Sequence, residues 1–144
     1  MTTTVSQMSV EASVDAVWDV LAGFADISRW ANGVSQSSLL SAGSPGPGAV
    51  RRVQVGRSAL RETVTTWEPG SRLAYDIAGL PAIVKSASNT WTLEPDARGT
   101  SITLTGAIET RGGPLVAKIV AGKVGQANED LVQDLASHLW RQQR

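Results

Sequence analysis

The spacing of hydrophobic and polar side chains changes twice along this chain, and the changes divide it into three stretches. Val5 to Val10 reads as a short strand at the start. Apolar residues then recur at the spacing of one helical face after Ser13, a residue type that caps helices, and Gly23 ends this helix. Ala25 to Trp30 suits a second short helix. The first stretch is therefore predicted to be a strand followed by two short helices.

From Val34 onward apolar and polar positions alternate, which is typical of strands with one buried face. The alternation predicts one weak strand, a loop rich in glycine and proline from Ser41 to Gly48, and then five clearer strands. The predicted strands are Val34 to Leu40, Ala49 to Val55, Ala59 to Trp67, Leu73 to Ala78, Ser86 to Leu93 and Thr100 to Glu109.

The third stretch returns to helical spacing and predicts one long C-terminal helix. Gly112-Gly113-Pro114 opens it, with proline at the first helical position, and it is expected to end near Arg141. Its apolar stripe consists of Val116, Val120, Val124, Leu131 and Leu135.

Three turns predict how the strands pair. Gly56-Arg57 suits a two-residue hairpin, and turns are also expected around Pro69-Gly70 and from Asp96 to Gly99. The pairs that follow are Arg51 with Glu62, Val53 with Leu60, Val55 with Ser58, Glu62 with Ile77, Val64 with Tyr75, Thr66 with Leu73, Trp91 with Leu104, and Leu93 with Ile102.

These pairs divide the side chains of the predicted sheet into an apolar face and a wet face. The apolar face collects Val53, Val55, Leu60, Val64, Leu73, Tyr75, Ile77, Trp91, Leu93, Ile102, Leu104 and Ile108. Asp76, Trp67 and Thr103 are expected on the wet face. The long helix is the natural cover for the apolar face. Because its stripe is narrow for so wide a sheet, part of this face is expected to line a space. The sequence thus predicts one α+β domain over residues 1–144.

Composition narrows the possible functions. Lys plus Arg and Asp plus Glu are 13 each, so the chain carries no net positive charge to attract nucleic acid, and no polybasic segment to hold it on an anionic membrane. There is no cysteine, and His138 is the only histidine, so neither a metal site nor a cofactor is expected. The absence of an apolar leader or a membrane-spanning run predicts a cytoplasmic location.

Arg51 and Glu62 are the sharpest candidates for chemistry, because they face each other on the apolar side. One interpretation is that the pair orients a polar group of a hydrophobic ligand. The alternatives are a structural ion pair, or a hairpin that has slipped by one residue and leaves both side chains in solvent. Tyr75 lies on the same face, either with its hydroxyl toward a ligand or in the core.

Further ligand-binding candidates follow from the same face and from the helix. Asn89 and Trp91 point inward unless a bulge turns them out. Asn128, between Val124 and Leu131, either points inward or belongs to a solvated helix face. The full set of predicted ligand-binding residues is Arg51, Val53, Leu60, Glu62, Val64, Tyr75, Ile77, Leu80, Asn89, Trp91, Leu104, Val124 and Asn128.

Several segments together resemble the START-like (SRPBCC) superfamily, in its polyketide cyclase/dehydrase and lipid-transport branch. The segments are Val14 to Leu21, Ala25 to Trp30, Gly48 to Arg52, Leu60 to Glu62, Arg72 to Ile77 and Gly99 to Leu104. The resemblance implies a helix-grip fold of about seven antiparallel strands around a long C-terminal helix. It also implies a small hydrophobic molecule as the partner.

Two classes of function remain open at this point. The first is a carrier or sensor that holds a lipid, polyketide or isoprenoid-like molecule, with the loops at Ser44 to Gly48 and Gly79 to Pro81 expected at one cavity mouth. The second is a polyketide aromatase/cyclase or dehydratase, in which Arg51 would hold a carbonyl or enolate while Glu62 or Tyr75 handles protons. Arg51 beside Glu62 argues against a neutral carboxyl group there, because an opposite charge favours the carboxylate. The sequence does not indicate an oligomeric state.

Overall fold

A computed structural model describes residues 1–143 of the chain. The strands, in chain order, are β1 (Thr2–Val10), β2 (Gln36–Leu39), β3 (Val50–Val55), β4 (Ser58–Glu68), β5 (Arg72–Ala78), β6 (Val84–Pro95) and β7 (Thr100–Thr110). Helix α1 (Val14–Ala22) and a short 3₁₀ helix (Phe24–Arg29) lie between β1 and β2, and helix α2 (Gly113–Gln142) ends the chain.

The seven strands form one antiparallel sheet in the order β1-β7-β6-β5-β4-β3-β2. Helix α2 crosses the inner face of this sheet and packs mainly on β1 and β7. The helix-grip α+β fold predicted from the sequence is confirmed.

Local sequence explains where the elements begin and turn. Ser13 caps α1, since its Oγ accepts a hydrogen bond from the backbone N–H of Ala16 at 3.1 Å. Gly56, with φ +57°, makes the β3–β4 turn in a conformation that other residues adopt only at a cost. The predicted second helix is a 3₁₀ helix that begins one residue earlier, at Phe24, and it is kinked at Asp26.

The predicted hairpin registers are confirmed with one exception. Arg51 pairs with Glu62 across β3 and β4, and Trp91 pairs with Leu104 across β6 and β7. The predicted pair of Thr66 with Leu73 is wrong.

A bulge in β4 explains the error. Val64 pairs with Tyr75, but the next pair is Thr66 with Ala74, so β4 has one residue more than β5 at this point. A bulge of this kind inverts the faces of the residues beyond it. Trp67 consequently turns to the inner face, where its ring contacts that of Trp18 edge-on at 5.3 Å between centroids. Its predicted place on the wet face is wrong.

The two glycine- and proline-rich loops lie at opposite ends of the sheet. The Ser41 to Gly48 segment precedes β3, whereas Gly79 to Ile83 follows β5 near the β3–β4 hairpin end. Both loops were predicted at one mouth of the cavity because each adjoins a strand with inward-facing residues, and this prediction is wrong. β4 lies between β3 and β5 and is antiparallel to both, so β3 and β5 run in the same direction, and the start of β3 and the end of β5 point to opposite edges of the sheet.

Candidate functional site

The inner face of the sheet has two halves along the strand direction. In the first, called the core half, side chains pack solidly against α1, the 3₁₀ helix and the end of α2. Its sheet residues are Val64, Leu73, Trp91, Leu93, Ile102 and Leu104. In the second, called the cavity half, the sheet and α2 enclose a cavity of about 550 Å³. Its apolar sheet residues are Val53, Val55, Leu60, Ile77, Ala87 and Ile108.

Side-chain size on the covering elements explains this difference. Trp18, Phe24 and Trp30 fill the core half, and Trp30 meets Trp91 edge-on at 6.0 Å between centroids. On the α2 side the cavity half is lined by residues between Val124 and Asp134, of which Ala127 is small and Asn128, Asp130, Gln133 and Asp134 are polar. Only Val124 and Leu131 bring larger apolar side chains from α2 to the cavity wall. The sheet face is apolar in both halves, but little projects from α2 to fill the second.

The structure divides the predicted ligand-binding residues between the two halves. Those that line the cavity are Val53, Leu60, Glu62, Tyr75, Ile77, Leu80, Asn89, Val124 and Asn128. Val64, Trp91 and Leu104 do not, because they belong to the core half, and the prediction that these three residues line the cavity is wrong. Arg51 lies behind Glu62 and also stays outside the lining.

Arg51 and Glu62 form a buried ion pair beside the cavity. The Nε and NH2 atoms of Arg51 donate to Glu62 Oε1 at 2.8 and 2.7 Å, and NH1 donates to the carbonyl oxygen of Phe24 at 2.9 Å. The guanidinium carbon also lies 3.9 Å from the ring centroid of Phe24 and 4.8 Å from that of Tyr75. A buried charge needs such partners to be tolerated. The slipped hairpin considered above is therefore excluded.

Tyr75 lies at the boundary between the halves, next to Glu62 on the same face. Its hydroxyl oxygen accepts hydrogen bonds from Trp91 Nε1 at 3.3 Å and from Asn89 Nδ2 at 3.5 Å. Burial, and then the negative charge of Glu62, raise the pKa of Tyr75 above its ordinary value, although Arg51 acts in the opposite direction. The hydroxyl therefore keeps its proton at neutral pH and can act as a hydrogen-bond donor.

Asn89 and Asn128 link the sheet to α2 across the cavity. Asn128 Nδ2 donates to Asn89 Oδ1 at 3.0 Å, and both side chains are almost fully buried. Gly106 makes room for this pair, since a Cβ there would lie 2.8 Å from Asn128 Nδ2. Asn128 therefore points inward, and the alternative of a solvated helix face is wrong.

A second polar contact closes the rim of the cavity. The backbone N–H of Asn32 donates to Asp134 Oδ2 at 2.9 Å, and its side-chain amide donates to Asp134 Oδ1 at 3.0 Å. Both residues line the cavity, as do Ile27, Gly33 and Val34 from the same segment. These two hydrogen bonds hold the segment before β2 against α2.

Sequence reasoning missed this part of the rim. The pair Asn32-Gly33 is typical of a turn, and nothing local in the sequence indicates that it contacts a helix about a hundred residues away. From α2, Val124 and Asn128 were predicted, whereas Ala127 and Asp134 were missed although a signal for them exists. Helical spacing counted from Val124 leads to Ala127, Leu131 and Asp134, all of which line the cavity.

The described residues show neither a metal site nor a membrane span. Residues 1–143 contain no group of three or more His, Asp or Glu side chains placed to hold a metal ion. In the same residues, no helix combines the length and the apolar character needed to cross a bilayer. Burial, and then the charge of Arg141, lower the pKa of His138, which lies on the surface of α2 away from the cavity.

The family model described as polyketide cyclase/dehydrase and lipid transport matches residues 1–139 of the chain. No curated protein matches significantly.

Solved structures share the fold at low sequence identity. The Zhui aromatase/cyclase from Streptomyces sp. R1128 is 20% identical with a TM-score of 0.82, covering 99% of this chain and 96% of its own. The protein XoxI from Bacillus cereus is 16% identical with a TM-score of 0.84, and the match covers 100% of this chain and 99% of XoxI. Ara h 8.0201 is 16% identical with a TM-score of 0.80, and the match covers 97% of this chain and 98% of Ara h 8.0201. At these identities the likeness establishes the fold and leaves the ligand open.

Proposed function

This chain belongs to the polyketide cyclase/dehydrase and lipid transport family of START-like proteins, and on that premise we propose that it holds a small hydrophobic molecule in its cavity, as a carrier or sensor. The observation that carries the proposal is the cavity of about 550 Å³ between the sheet and α2. A volume of this size is typical of small-molecule sites. Most of its lining residues are apolar; of the polar ones, Glu62, Tyr75, Asn89 and Asn128 are buried, whereas Asn32 and Asp134 form the rim.

The arrangement of polar groups favours binding over catalysis. An aromatase/cyclase or dehydratase of the kind considered above would use Arg51 to hold a carbonyl or enolate, but the guanidinium donates to Glu62 and Phe24 and does not line the cavity. The raised pKa of Tyr75 makes its hydroxyl a poor base at neutral pH. These contacts instead suit a fixed polar anchor for a bound molecule.

Native mass spectrometry of freshly purified protein tests this function. We expect an additional mass on part of the population, which organic extraction releases for identification. Ala87→Leu should remove the additional mass, because Ala87 is buried and lines the cavity. Thr90→Leu, on the outer face of the same strand, is the matched control and should retain it.

The opposite results would overturn the proposal. If the protein carries no extra mass and takes up none of a panel of apolar compounds, the cavity is not a binding site. If Ala87→Leu and Thr90→Leu retain the same additional mass equally, the ligand is bound elsewhere.

A further inference from the structure

The polar groups in the cavity have hydrogen-bonding capacity that the protein itself does not use. Arg51 directs two of its three nitrogens, Nε and NH2, at Oε1 of Glu62, while Oε2 receives no hydrogen bond from any side chain within residues 1–143. Glu62 lines the cavity. Among the described residues, Thr4 Oγ1 is the side-chain atom that is both fully enclosed and without a partner, so the unpaired Oε2 of Glu62 is not fully enclosed. This oxygen is therefore an acceptor open to a ligand.

The hydroxyl of Tyr75 offers the complementary function. A phenol has one hydrogen to donate and two lone pairs to accept with. The indole N–H of Trp91 can only donate, and the amide nitrogen of Asn89 donates as well, so both lone pairs are occupied. The phenolic hydrogen has no acceptor among the described residues and can be donated into the cavity.

The charges around these two groups disfavour an ionised ligand. Arg51 and Glu62 neutralise each other, and Arg51 is shielded from the cavity by its contacts with Phe24, Tyr75 and Glu62. A ligand carboxylate would meet the Glu62 carboxylate in an apolar space without a cation to compensate it. At this position a ligand ammonium group would meet a carboxylate whose charge is already balanced, so its own desolvation would not be offset. The other carboxylates of the lining, Asp130 and Asp134, belong to α2 and are more exposed to solvent than Glu62.

We propose that the cavity selects neutral hydrophobic molecules with a hydroxyl group, an alcohol or a phenol, which donates to Glu62 Oε2 and accepts from the Tyr75 hydroxyl. This inference rests on the proposed binding function and names the chemical class of its ligand. A hydroxyl group carries one donor and two acceptor positions, so a single ligand oxygen satisfies both protein groups. The apolar remainder of the molecule then lies against Leu60, Ile77 and Leu80.

Four probes with the same ring system test the inference by isothermal titration calorimetry. They are 2-naphthol, 2-methoxynaphthalene, naphthalene and 2-naphthoate. We expect 2-naphthol to bind about 10- to 100-fold more tightly than 2-methoxynaphthalene, which cannot donate to a carboxylate. 2-Naphthoate should bind no more tightly than naphthalene.

Two variants connect the preference to the named atoms. Glu62→Gln keeps an oxygen for Arg51 and presents an amide nitrogen to the cavity, so an acceptor becomes a donor. It should remove the preference for 2-naphthol over 2-methoxynaphthalene. Tyr75→Phe removes the donor and should weaken 2-naphthol binding about 3- to 10-fold. Asp76→Asn, on the outer face beside Tyr75, is the control and should bind all probes as the unmodified protein does.

The outcomes distinguish a failure of the hydroxyl preference from a failure of the proposed binding function. Equal affinity of the unmodified protein for 2-naphthol, 2-methoxynaphthalene and naphthalene would overturn the hydroxyl preference and leave the binding function standing. No heat of binding with any probe, in a protein that also purifies without ligand, would overturn both. If Glu62→Gln does not fold, the probe series on the unmodified protein and on Tyr75→Phe decides the matter.

Discussion

The core half and the cavity half share one sheet and one alternating pattern, yet only the core half is solid. Sheet residues of the core half, such as Trp91, pack in one cluster with aromatic rings from α1 and from the 3₁₀ helix and its end, and Trp91 itself meets Trp30. Those of the cavity half, such as Ile77, border a space whose α2 wall carries only two larger apolar side chains, Val124 and Leu131. The alternation along a strand determines which face a side chain is on. Whether that side chain is packed or borders a space depends on the volume that the covering helix supplies.

The largest effect is expected where the two halves meet, at the buried ion pair. Arg51→Met leaves the Glu62 carboxylate without its cation, which typically costs about 3–5 kcal/mol of unfolding free energy. Urea denaturation followed by tryptophan fluorescence measures this. The neighbouring outer-face change Arg52→Met should alter stability by no more than about 0.5 kcal/mol. Similar losses in the two variants would mean that the ion pair does not support the boundary.

Truncating a leucine in each half tests the difference in packing directly. Leu104→Ala should cost about 2–5 kcal/mol, because it creates a new cavity among fully packed side chains. Leu60→Ala should cost about 1 kcal/mol, since this half-buried side chain already borders open space and leaves little new cavity. Equal costs in chemical denaturation would contradict the division into two halves.

Filling the cavity should raise the unfolding free energy, whereas these truncations lower it. Ala87→Leu adds apolar atoms where there is room for them and should raise the unfolding free energy by about 0.5–2 kcal/mol while ligand uptake is lost. The same substitution at Ala49, which is buried but does not line the cavity, should overpack its site and destabilise by about 1–3 kcal/mol. Destabilisation by Ala87→Leu of the same size as that at Ala49 would show that the cavity does not accommodate the side chain.

The smallest effect on stability is expected in the loop after β5. Leu80→Gly should change the unfolding free energy by no more than about 0.5 kcal/mol, because Leu80 is half-buried at the cavity wall. It should nevertheless speed the release of 2-naphthol in stopped-flow displacement. Bound 2-naphthol should also slow amide exchange in residues 79–84, with little change at Thr103 on the outer face. Unchanged exchange together with a destabilised domain would make this loop structural.

The sequence predicted the fold and its registers well because local signals fix both. Turn residues at Gly56-Arg57 set a register that puts Arg51 opposite Glu62, and alternation assigns the faces. The bulge after Val64 escaped notice because nothing in the run of threonines distinguishes a regular pair from an extra residue. Trp67 was therefore assigned to the wrong face.

The site was predicted less completely than the fold, for a different physical reason. The alternation of apolar and polar residues indicates which face of the sheet a side chain is on. It does not indicate whether that position along the strand is covered by a helix. Val64 and Leu104 were thus expected at the cavity together with Tyr75, although they lie in the core half. The boundary between the halves depends on where Trp18, Phe24 and Trp30 pack against the sheet after folding, which the pattern along each strand does not contain.

Locating a bound probe by nuclear magnetic resonance tests the central claim most directly. With 2-naphthol added to protein labelled at its methyl groups, we expect intermolecular contacts to the methyl groups of Val53, Leu60 and Ile77. None is expected to those of Val64 and Leu104. Contacts confined to the cavity half would establish it as the binding site. Contacts to Leu104, or to methyl groups on the outer surface alone, would contradict the account.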